Sequence, residues 1–168
     1  SRLLEEKSAG LRQDPLSGIA NRLAYEERLQ EEFFRWKRFD HSLTLLVWDI
    51  DRFKQVNDHH GHAVGDMMLR SIAQQLASRL RITDFVARYG GEEFVMLLPG
   101  ADISAALELA NHIRCQIAES GSDNFIPKTI SCGISSFEPG DSMQSVFNRA
   151  DQALYQAKRD GRNCCRVG

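Results

Sequence analysis

Three carboxylates lie beside apolar segments of the sequence, at points where strands are expected to end. Asp49 closes one apolar run, and Glu92 and Glu93 follow the paired glycines Gly90 and Gly91. A carboxylate at the end of a buried strand is costly unless it is paired or binds a metal. Because adjacent residues of an extended segment point to opposite sides, Glu92 and Glu93 are expected to have different tasks. Taken alone, such a stretch is also typical of an acidic solvated turn.

Oxygen ligands from two separate segments favour a magnesium site. The carboxylates of Asp49 and Glu92, with a backbone carbonyl such as that of Ile50, form an all-oxygen ligand set. Magnesium usually keeps positions for phosphate oxygens and water, so a nucleoside triphosphate is the expected co-ligand.

Basic side chains can complete a phosphate site. We interpret the polar segment 53–58 as a loop whose N–H groups hold phosphates, with Lys54 adding charge. Lys158 and Arg162, one helical turn apart near a predicted helix end, can reach the same anion. The alternative for these two residues is a solvated helix end.

Two further polar residues match the hydrogen-bonding edge of guanine. Asp66 can accept from the N1–H and the exocyclic amine of guanine, a pair of donors that adenine lacks. Asn57 can supply the complementary donor and acceptor. The sequence therefore favours guanine over adenine.

Strands must position these side chains. Paired glycines between the apolar runs 85–89 and 94–98 predict a tight hairpin that reverses at Gly90–Gly91. The near-continuous apolar run 43–50 predicts a central strand covered on both faces. A further strand is predicted over 128–135.

Capping residues and apolar spacing predict the helices. The predicted starts are Asn21, Asp102 or Ser104, and Ser142 or Ser145. One more helix is expected to end near residue 80, and Gly161 is expected to end the last one. In the helix that starts at Asn21, the residues predicted to face inward are Leu23, Leu29, Phe33, Phe34 and Trp36. In the helix that starts at Asp102 or Ser104, they are Ala105, Leu109, Ile113 and Ile117.

The resulting order is strand, helix, strand, strand, helix, strand. This is the split βαβ arrangement of ferredoxin-like, palm-like α+β folds, with a mainly antiparallel sheet flanked by helices. Because the hairpin strands then neighbour the strand that ends at Asp49, Glu92 is expected close to Asp49. Residues 1–13 are predicted to be the end of an N-terminal helical linker, and residues 14–168 the catalytic domain.

The totals exclude several classes of protein. The chain has 168 residues, with 21 basic and 23 acidic side chains and a formal charge of -2. This balance argues against a general binder of nucleic acid or membrane surfaces. No apolar run is long enough to span a membrane and no signal peptide is evident, so a cytoplasmic domain is expected, with any membrane tether in an absent upstream region.

Cysteines and histidines do not have the spacing of a zinc site. The four cysteines are expected to be reduced thiols. The cluster His59, His60 and His62 is interpreted as part of a polar loop.

The sequence resembles the GGDEF-domain diguanylate cyclases, in the GGEEF variant, over about residues 14–166. In this order and spacing the matching segments are very specific. They are 14–22 (DPLSGIANR), 49–54 (DIDRFK), 57–58 (ND), 61–66 (GHAVGD), 88–94 (RYGGEEF), 151–158 (DQALYQAK) and 161–163 (GRN). Ser17 and Ile19 are mild departures from the commoner Thr and Leu, and neither touches the chemistry.

The resemblance implies a reaction and a set of roles. The reaction is the joining of two GTP molecules into cyclic di-GMP, with release of pyrophosphate. Asp49, the Ile50 carbonyl and Glu92 would bind magnesium, or manganese in its place. The implied substrate contacts are Asn57 and Asp66 for guanine, Lys54, Lys158 and Arg162 for phosphates, and Phe53, Gly90 and Gly91 around them. Glu93 matches the position linked to catalysis, either as a base for the ribose 3′-hydroxyl or as a ligand of a second metal.

The product requires two nucleotides joined reciprocally, whereas each domain has one evident guanine site. The resemblance therefore implies a transient two-fold homodimer that holds each hydroxyl against the opposite phosphate. The N-terminal helix would align two domains in response to an upstream sensor. Arg81 and Asp84 match the family's inhibitory product-binding site, and a surface ion pair at a helix end is the alternative.

Two other functions compete with this interpretation. A degenerate GGDEF domain would bind GTP or cyclic di-GMP without catalysis, but such domains usually lose carboxylates that are present here. A palm-like polymerase or nuclease would need a basic groove, which the acidic balance does not favour.

Overall fold

The structure is a computed structural model, and it describes residues 10–120 and 126–168. Within these residues, the elements in chain order are α1 (Arg22–Arg38), β1 (Leu43–Ile50), α2 (Phe53–His60), α3 (His62–Ser78), β2 (Phe85–Gly90), β3 (Glu93–Pro99), α4 (Ile103–Glu119), β4 (Ile130–Ser136), α5 (Met143–Arg159) and β5 (Cys165–Val167). The predicted linker at residues 1–13 falls mostly outside the described residues and stays a prediction.

The strands form one sheet in the order β2-β3-β1-β4-β5. Neighbouring strands are antiparallel from β2 to β4, and β5 adds a parallel edge beside β4. The first four strands have the split βαβ order, which confirms the predicted α+β fold. The strand β5 has no counterpart in the prediction, because three residues carry too little periodicity to be recognised.

β1 lies at the centre of the sheet, and all eight of its residues are buried. Leu46, Trp48 and Ile50 pack on the side covered by α3 and α4. Leu45 and Val47 pack on the opposite side, against α1 and α5. The predicted central strand with two covered faces is confirmed, and its end is therefore held rigidly between two helical layers.

The face of α1 that packs inward differs from the prediction. Its buried stripe contains Tyr25, Leu29 and Phe33, spaced four residues apart. Leu23 and Phe34 lie off this stripe and are 47% and 59% exposed. Counting apolar residues overestimates the width of a buried helical stripe when some of them lie beside it.

Three predicted helix starts are confirmed by their caps. The Asn21 side chain accepts from the Ala24 N–H, and the Asp102 side chain accepts from the Ala105 N–H. Ser142 caps α5 in a reciprocal capping box. Since Ala105 lies in the capping turn of α4 it is exposed, which contradicts its predicted inward position.

Segment 53–60 is a helix rather than the predicted polar loop. Val56 is its buried residue, so the segment lacks the apolar stripe that would identify a helix in the sequence. Gly61, with a φ of +87°, separates α2 from α3. The three histidines at this junction, residues 59, 60 and 62, are exposed.

None of the helices in residues 10–120 and 126–168 has both the length and the apolar character needed to cross a bilayer. The four cysteines are free thiols, and Cys132 and Cys165 are buried side by side on neighbouring strands.

Candidate active site

The β2–β3 hairpin brings the two glutamates to the end of β1. Glu93 is the register partner of Asp49, and the Ile50 N–H donates to the Glu92 carbonyl over 3.2 Å. The tight turn consists of Gly91 and Glu92, so the chain reverses one residue later than predicted. The segment carrying Glu92 therefore lies next to Asp49, as the predicted topology requires.

The glycines leave the outer side of this hairpin open. Gly90 ends β2 and pairs with Glu93. A Cβ at Gly90 or at Gly91 would have no heavy atom of the described residues within 4 Å. Gly91 has a φ of +48°, which glycine adopts at low cost. A large ligand can therefore approach the backbone of the turn.

Asp49 forms an ion pair with a lysine from the far end of the chain. The Lys158 Nζ donates to the Asp49 Oδ2 over 2.6 Å, and the Asp49 side chain is only 6% exposed. Lys158 reaches it because α5 packs closely on β4 over Gly133. A Cβ on Gly133 would lie 1.9 Å from the Ala150 carbonyl oxygen, so only glycine permits this approach.

The carboxylates at this site repel one another. Burial raises the pKa of Asp49, Lys158 opposes the rise, and neighbouring carboxylates such as Glu92 add to it. Burial also raises the pKa of Glu93, and the negative charges of Asp49, Asp151 and Glu92 raise it further. The site therefore holds more negative charge than one lysine neutralises.

This excess of negative charge fits a divalent cation. The carboxylates of Asp49 and Glu92 and the carbonyl of Ile50 are oxygen donors of the kind that magnesium prefers. In the described part of the chain, no three His, Cys, Asp or Glu side chains are grouped as a metal site. A metal bound here would therefore need backbone, phosphate or water oxygens to complete its coordination.

Two residues separate the end of β1 from the start of α2, which lies next to the carboxylates. Its N-cap residue Arg52 has a left-handed φ of +56°, and no side chain of the described residues caps the helix. The first N–H groups of α2 are thus available to an anion, and the helix dipole adds to the attraction. Lys54, in the same turn, is exposed. The backbone N–H groups that were predicted to hold phosphates from a loop therefore belong to the first turn of a helix.

Asn57 and Asp66, the residues predicted to contact guanine, are brought together by the packing of α2 on α3. A Cβ on Gly65 would lie 1.8 Å from the Asn57 Oδ1 and 3.4 Å from the Phe53 Cζ. The Asn57 Oδ1 is buried and has no hydrogen-bond partner within residues 10–120 and 126–168. Asp66, which follows Gly65, is half-buried. An unpaired amide oxygen therefore lies beside Gly65, next to the Phe53 ring and one residue along the chain from Asp66.

Asp51 has a place in the site that sequence reasoning missed. Its carboxylate is buried and accepts from the Thr129 hydroxyl at 2.7 Å and the Ser131 hydroxyl at 2.6 Å. It also accepts from the Asn163 backbone N–H at 3.0 Å. These partners are 78, 80 and 112 residues away in the sequence, so no local pattern could have identified them.

Arg162 lies beyond the last helix. α5 ends at Arg159, so Lys158 and Arg162 are not one helical turn apart as predicted. Arg162 and Asn163 have φ angles of +66° and +46°. Left-handed conformations of residues other than glycine cost about 1–3 kcal/mol each, and they persist only when the surroundings hold them. The Arg114 Nη1 also donates to the Asn163 Oδ1 over 3.0 Å.

Arg81 and Asp84 lie away from these residues, in the loop before β2. The guanidinium of Arg81 donates to both oxygens of Asp84, at 3.1 and 2.8 Å, and to the Pro99 carbonyl at 2.9 Å. The Asp84 side chain is 2% exposed, whereas the Arg81 side chain is 58% exposed. The two residues thus form an ion pair with one open side.

The chain is similar to known proteins both in sequence and in structure. Residues 11–164 match the family described as "Diguanylate cyclase, GGDEF domain". The chain is 45% identical over 163 residues to diguanylate cyclase DgcP of Pseudomonas aeruginosa, across 95% of this chain and 24% of DgcP. It is 38% identical over 162 residues to diguanylate cyclase DgcM of Escherichia coli K12, across 96% of this chain and 40% of DgcM.

A solved structure supports the same relationship. The coiled coil and GGDEF domain of DgcB from Caulobacter crescentus, in complex with c-di-GMP, matches with a TM-score of 0.94 at 32% identity, over 99% of this chain and 91% of that one. The chain therefore belongs to the GGDEF-domain family of diguanylate cyclases. It spans less than half the length of DgcP and DgcM.

Proposed function

We propose that this chain condenses two GTP molecules into cyclic di-GMP, with release of pyrophosphate. The observation that carries the proposal is the register pairing of Asp49 with Glu93, which gathers carboxylates beside Lys158 and the uncapped start of α2. Family membership supports the same activity, because the relatives DgcP and DgcM are diguanylate cyclases.

The ligands of the metal in this proposal are Asp49, Glu92 and the carbonyl of Ile50. Their support is the buried negative charge at the end of β1, where burial first, and the neighbouring carboxylates Glu92 and Asp51 after it, raise the pKa of Asp49 despite the contact with Lys158. Magnesium or manganese bound there would polarise the phosphate and offset the charge that develops on its oxygens.

Glu93 is proposed to accept the proton of the ribose 3′-hydroxyl. Burial and neighbouring negative charge raise its pKa, and a carboxylate with a raised pKa is a better proton acceptor near neutral pH. The 3′-oxygen of one GTP then attacks the α-phosphorus of the other, and pyrophosphate leaves.

The triphosphate is proposed to lie across the start of α2. The unpaired N–H groups of the first turn and the Lys54 ammonium would bind one side of it. Lys158 and Arg162 would bind the other side, and the open backbone at Gly90 and Gly91 would leave room for it. These donors would also offset negative charge as the bond to pyrophosphate breaks.

Guanine is proposed to bind between α2 and α3. The buried Asn57 Oδ1, which lacks a partner among the described residues, would accept from the base. The Asp66 carboxylate would accept from the N1–H and the exocyclic amine, and Phe53 would border the site. An unsatisfied buried acceptor favours a ligand that donates to it, and this supports guanine over a base without matching donors.

Two domains are proposed to meet face to face. One guanine site per domain and two bonds per product require two-fold symmetry, so that each domain presents its nucleotide to the other. An upstream region would control the encounter of the two domains.

Cyclic di-GMP is proposed to bind at Arg81 and Asp84 and to inhibit the enzyme. Arg81 has an exposed guanidinium that can bind phosphate or guanine, and Asp84 can accept guanine's donors. Binding would require the present ion pair between them to open.

The test is to incubate the purified chain with GTP and magnesium, resolve the nucleotides, and run Glu93→Gln beside it. We expect cyclic di-GMP and pyrophosphate, a rate that rises faster than linearly with protein concentration, and a loss of at least about 100-fold in the variant. GTP that binds but stays intact at every concentration, also when two domains are joined by a dimeric coiled coil, would exclude an enzyme and indicate a nucleotide receptor.

A further inference from the structure

Asp51 is a buried carboxylate to which the proposed mechanism gives no task. It is 7% exposed, and its oxygens are taken up by hydroxyl and amide donors from β4 and from the turn after α5. No ion pair with Asp51 forms within residues 10–120 and 126–168. A group whose oxygens accept three internal hydrogen bonds has little capacity left for a ligand.

The turn that Asp51 holds is the one that carries Arg162. Gly161, Arg162 and Asn163 all have positive φ angles, of +119°, +66° and +46°. Such a turn needs external contacts to keep one conformation, because two of its residues are not glycine. The Asn163 N–H bonded to Asp51 is one contact, and the Arg114 guanidinium on the Asn163 side chain is another.

The same carboxylate also fixes the strand that carries the proposed metal ligands. Asp51 directly follows the end of β1, and its own N–H donates to the Thr129 carbonyl over 2.9 Å. Ser131, which donates to its side chain, is the register partner of Asp49 on β4. Asp51 therefore links the end of β1, the start of β4 and the Arg162 turn through one side chain.

We propose that Asp51 is a positioning residue, which locks the left-handed Arg162–Asn163 turn to the end of β1 and so aims Arg162 at the triphosphate bound beside Asp49 and Lys158. It contacts neither substrate nor metal. The inference rests on the proposed function for the identity of the ligand, and it adds a residue whose effect is transmitted through Arg162.

Two substitutions distinguish positioning through hydrogen bonds from an effect of the negative charge of Asp51. In Asp51→Asn the amide oxygen can take the place of Oδ2, where it accepts from Thr129 and from the Asn163 N–H. Its NH2 group then faces the Ser131 hydroxyl, which can accept as well as donate. The turn stays held although the charge is gone. Asp51→Ala removes every one of these bonds.

The test measures binding of GTP lacking the 3′-hydroxyl, with magnesium, by calorimetry. This analogue has no nucleophile, so the assay needs no turnover. We expect Asp51→Ala to weaken binding about tenfold, the size of effect seen when partners that orient a site are removed. Asp51→Asn is expected to stay within about twofold of the parent chain.

A double-mutant cycle tests the path of the effect. If Asp51 acts through Arg162, Asp51→Ala changes affinity by less than about twofold in an Arg162→Ala background. Circular dichroism shows whether each variant folds. If Asp51→Ala does not fold, Asp51→Ser replaces it. The serine side chain is one bond shorter than that of aspartate, so its hydroxyl cannot reach the Asn163 N–H.

Two results would overturn the inference. If Asp51→Asn bound the analogue as weakly as Asp51→Ala, the negative charge of Asp51, and not its hydrogen bonds, would support binding of the magnesium nucleotide. Full additivity of the Asp51 and Arg162 substitutions would mean that the two residues act independently. A parent chain that binds the analogue but forms no cyclic di-GMP refutes the proposed function alone, whereas a parent chain that does not bind it refutes both.

Discussion

At the scale of single residues, the ionised Glu93 should make the domain less stable when no metal is bound. Its pKa is raised in the folded state by burial, first, and by Asp49, Asp151 and Glu92. An acid with a raised folded pKa contributes stability that is present below its unfolded value of 4.5 and lost as pH rises through the folded value.

Glu93→Gln should therefore raise the free energy of unfolding at pH 7 by about 0.2–1 kcal/mol, the range for single charge interactions near a surface. The gain should disappear below pH 4.5 and shrink when magnesium is added. Urea unfolding across this pH range measures it, with Glu108→Gln on the exposed side of α4 as control. A variant that is less stable than the parent chain at pH 7 without metal would contradict the electrostatic picture.

Gly65 tests the guanine site at the same scale. The Cβ of Gly65→Ala would lie 1.8 Å from the Asn57 Oδ1, so the Asn57 side chain must move. Because that oxygen is the end of a side chain, the fold should survive while the KM for GTP rises about tenfold or more. Gly10→Ala, which meets open space, is the matched control. An unchanged KM in Gly65→Ala would exclude Asn57 from base recognition.

Single residues also mark the limit of what the sequence predicts. Asp49 and Glu92 were predicted because they lie beside apolar segments, and Asn57 and Asp66 because they match the edge of guanine and a recognisable motif. Asp51 belongs to the same motif, but its importance depends on donors more than 70 residues away. Spacing along the chain contains no information about such partners until the strands are paired.

At the scale of elements, α5 carries Lys158 and is anchored at both ends by a carboxylate paired with arginine. At the start, the Nη1 and Nη2 atoms of Arg149 donate to the two carboxylate oxygens of Asp141, at 2.6 and 2.8 Å. At the end, Arg166 binds Asp160 at 2.7 Å in an exposed pair. The first pair is more buried and also receives hydrogen bonds from the Glu138 N–H and the Ser145 hydroxyl.

Asp141→Asn should therefore destabilise the protein much more than Asp160→Asn. The bond with Arg149 lowers the pKa of Asp141 from 3.8 to about 2, so its contribution is present above pH 3.8 and lost as pH falls through about 2. After solvent screening we expect a loss of about 1–2 kcal/mol at pH 7. Urea unfolding with an unchanged slope would measure it. Equal effects of the two substitutions would contradict this ranking.

Elements were predictable where periodicity was long, and they were missed where it was short. β1, β3 and the long helices follow from apolar or amphipathic runs of five or more residues. α2 has one buried residue, and β5 exists only as a partner of β4, so neither has a signal of its own. The consequence is functional, because the uncapped start of α2 supplies the proposed phosphate donors.

At the scale of the whole molecule, the proposed reaction needs two domains, since each bond joins the hydroxyl of one nucleotide to the phosphorus of the other. A pair in which only one domain has Glu93 should form one of the two bonds and stop. The linear dinucleotide that retains a triphosphate would then accumulate. This follows from symmetry, because the two bonds of the ring are made at two equivalent and separate places.

A pair in which only one domain has Glu93 can be made by fusing a heterodimeric coiled coil to the N-terminus. The parent domain is then carried by one helix and the Glu93→Gln domain by the other. We expect the mixed pair to release the linear dinucleotide and at least about 100-fold less cyclic di-GMP than the parent pair. The doubly substituted pair should release neither. Cyclic product from the mixed pair at half the rate of the parent pair would mean that one domain makes both bonds, and the two-fold mechanism would be wrong.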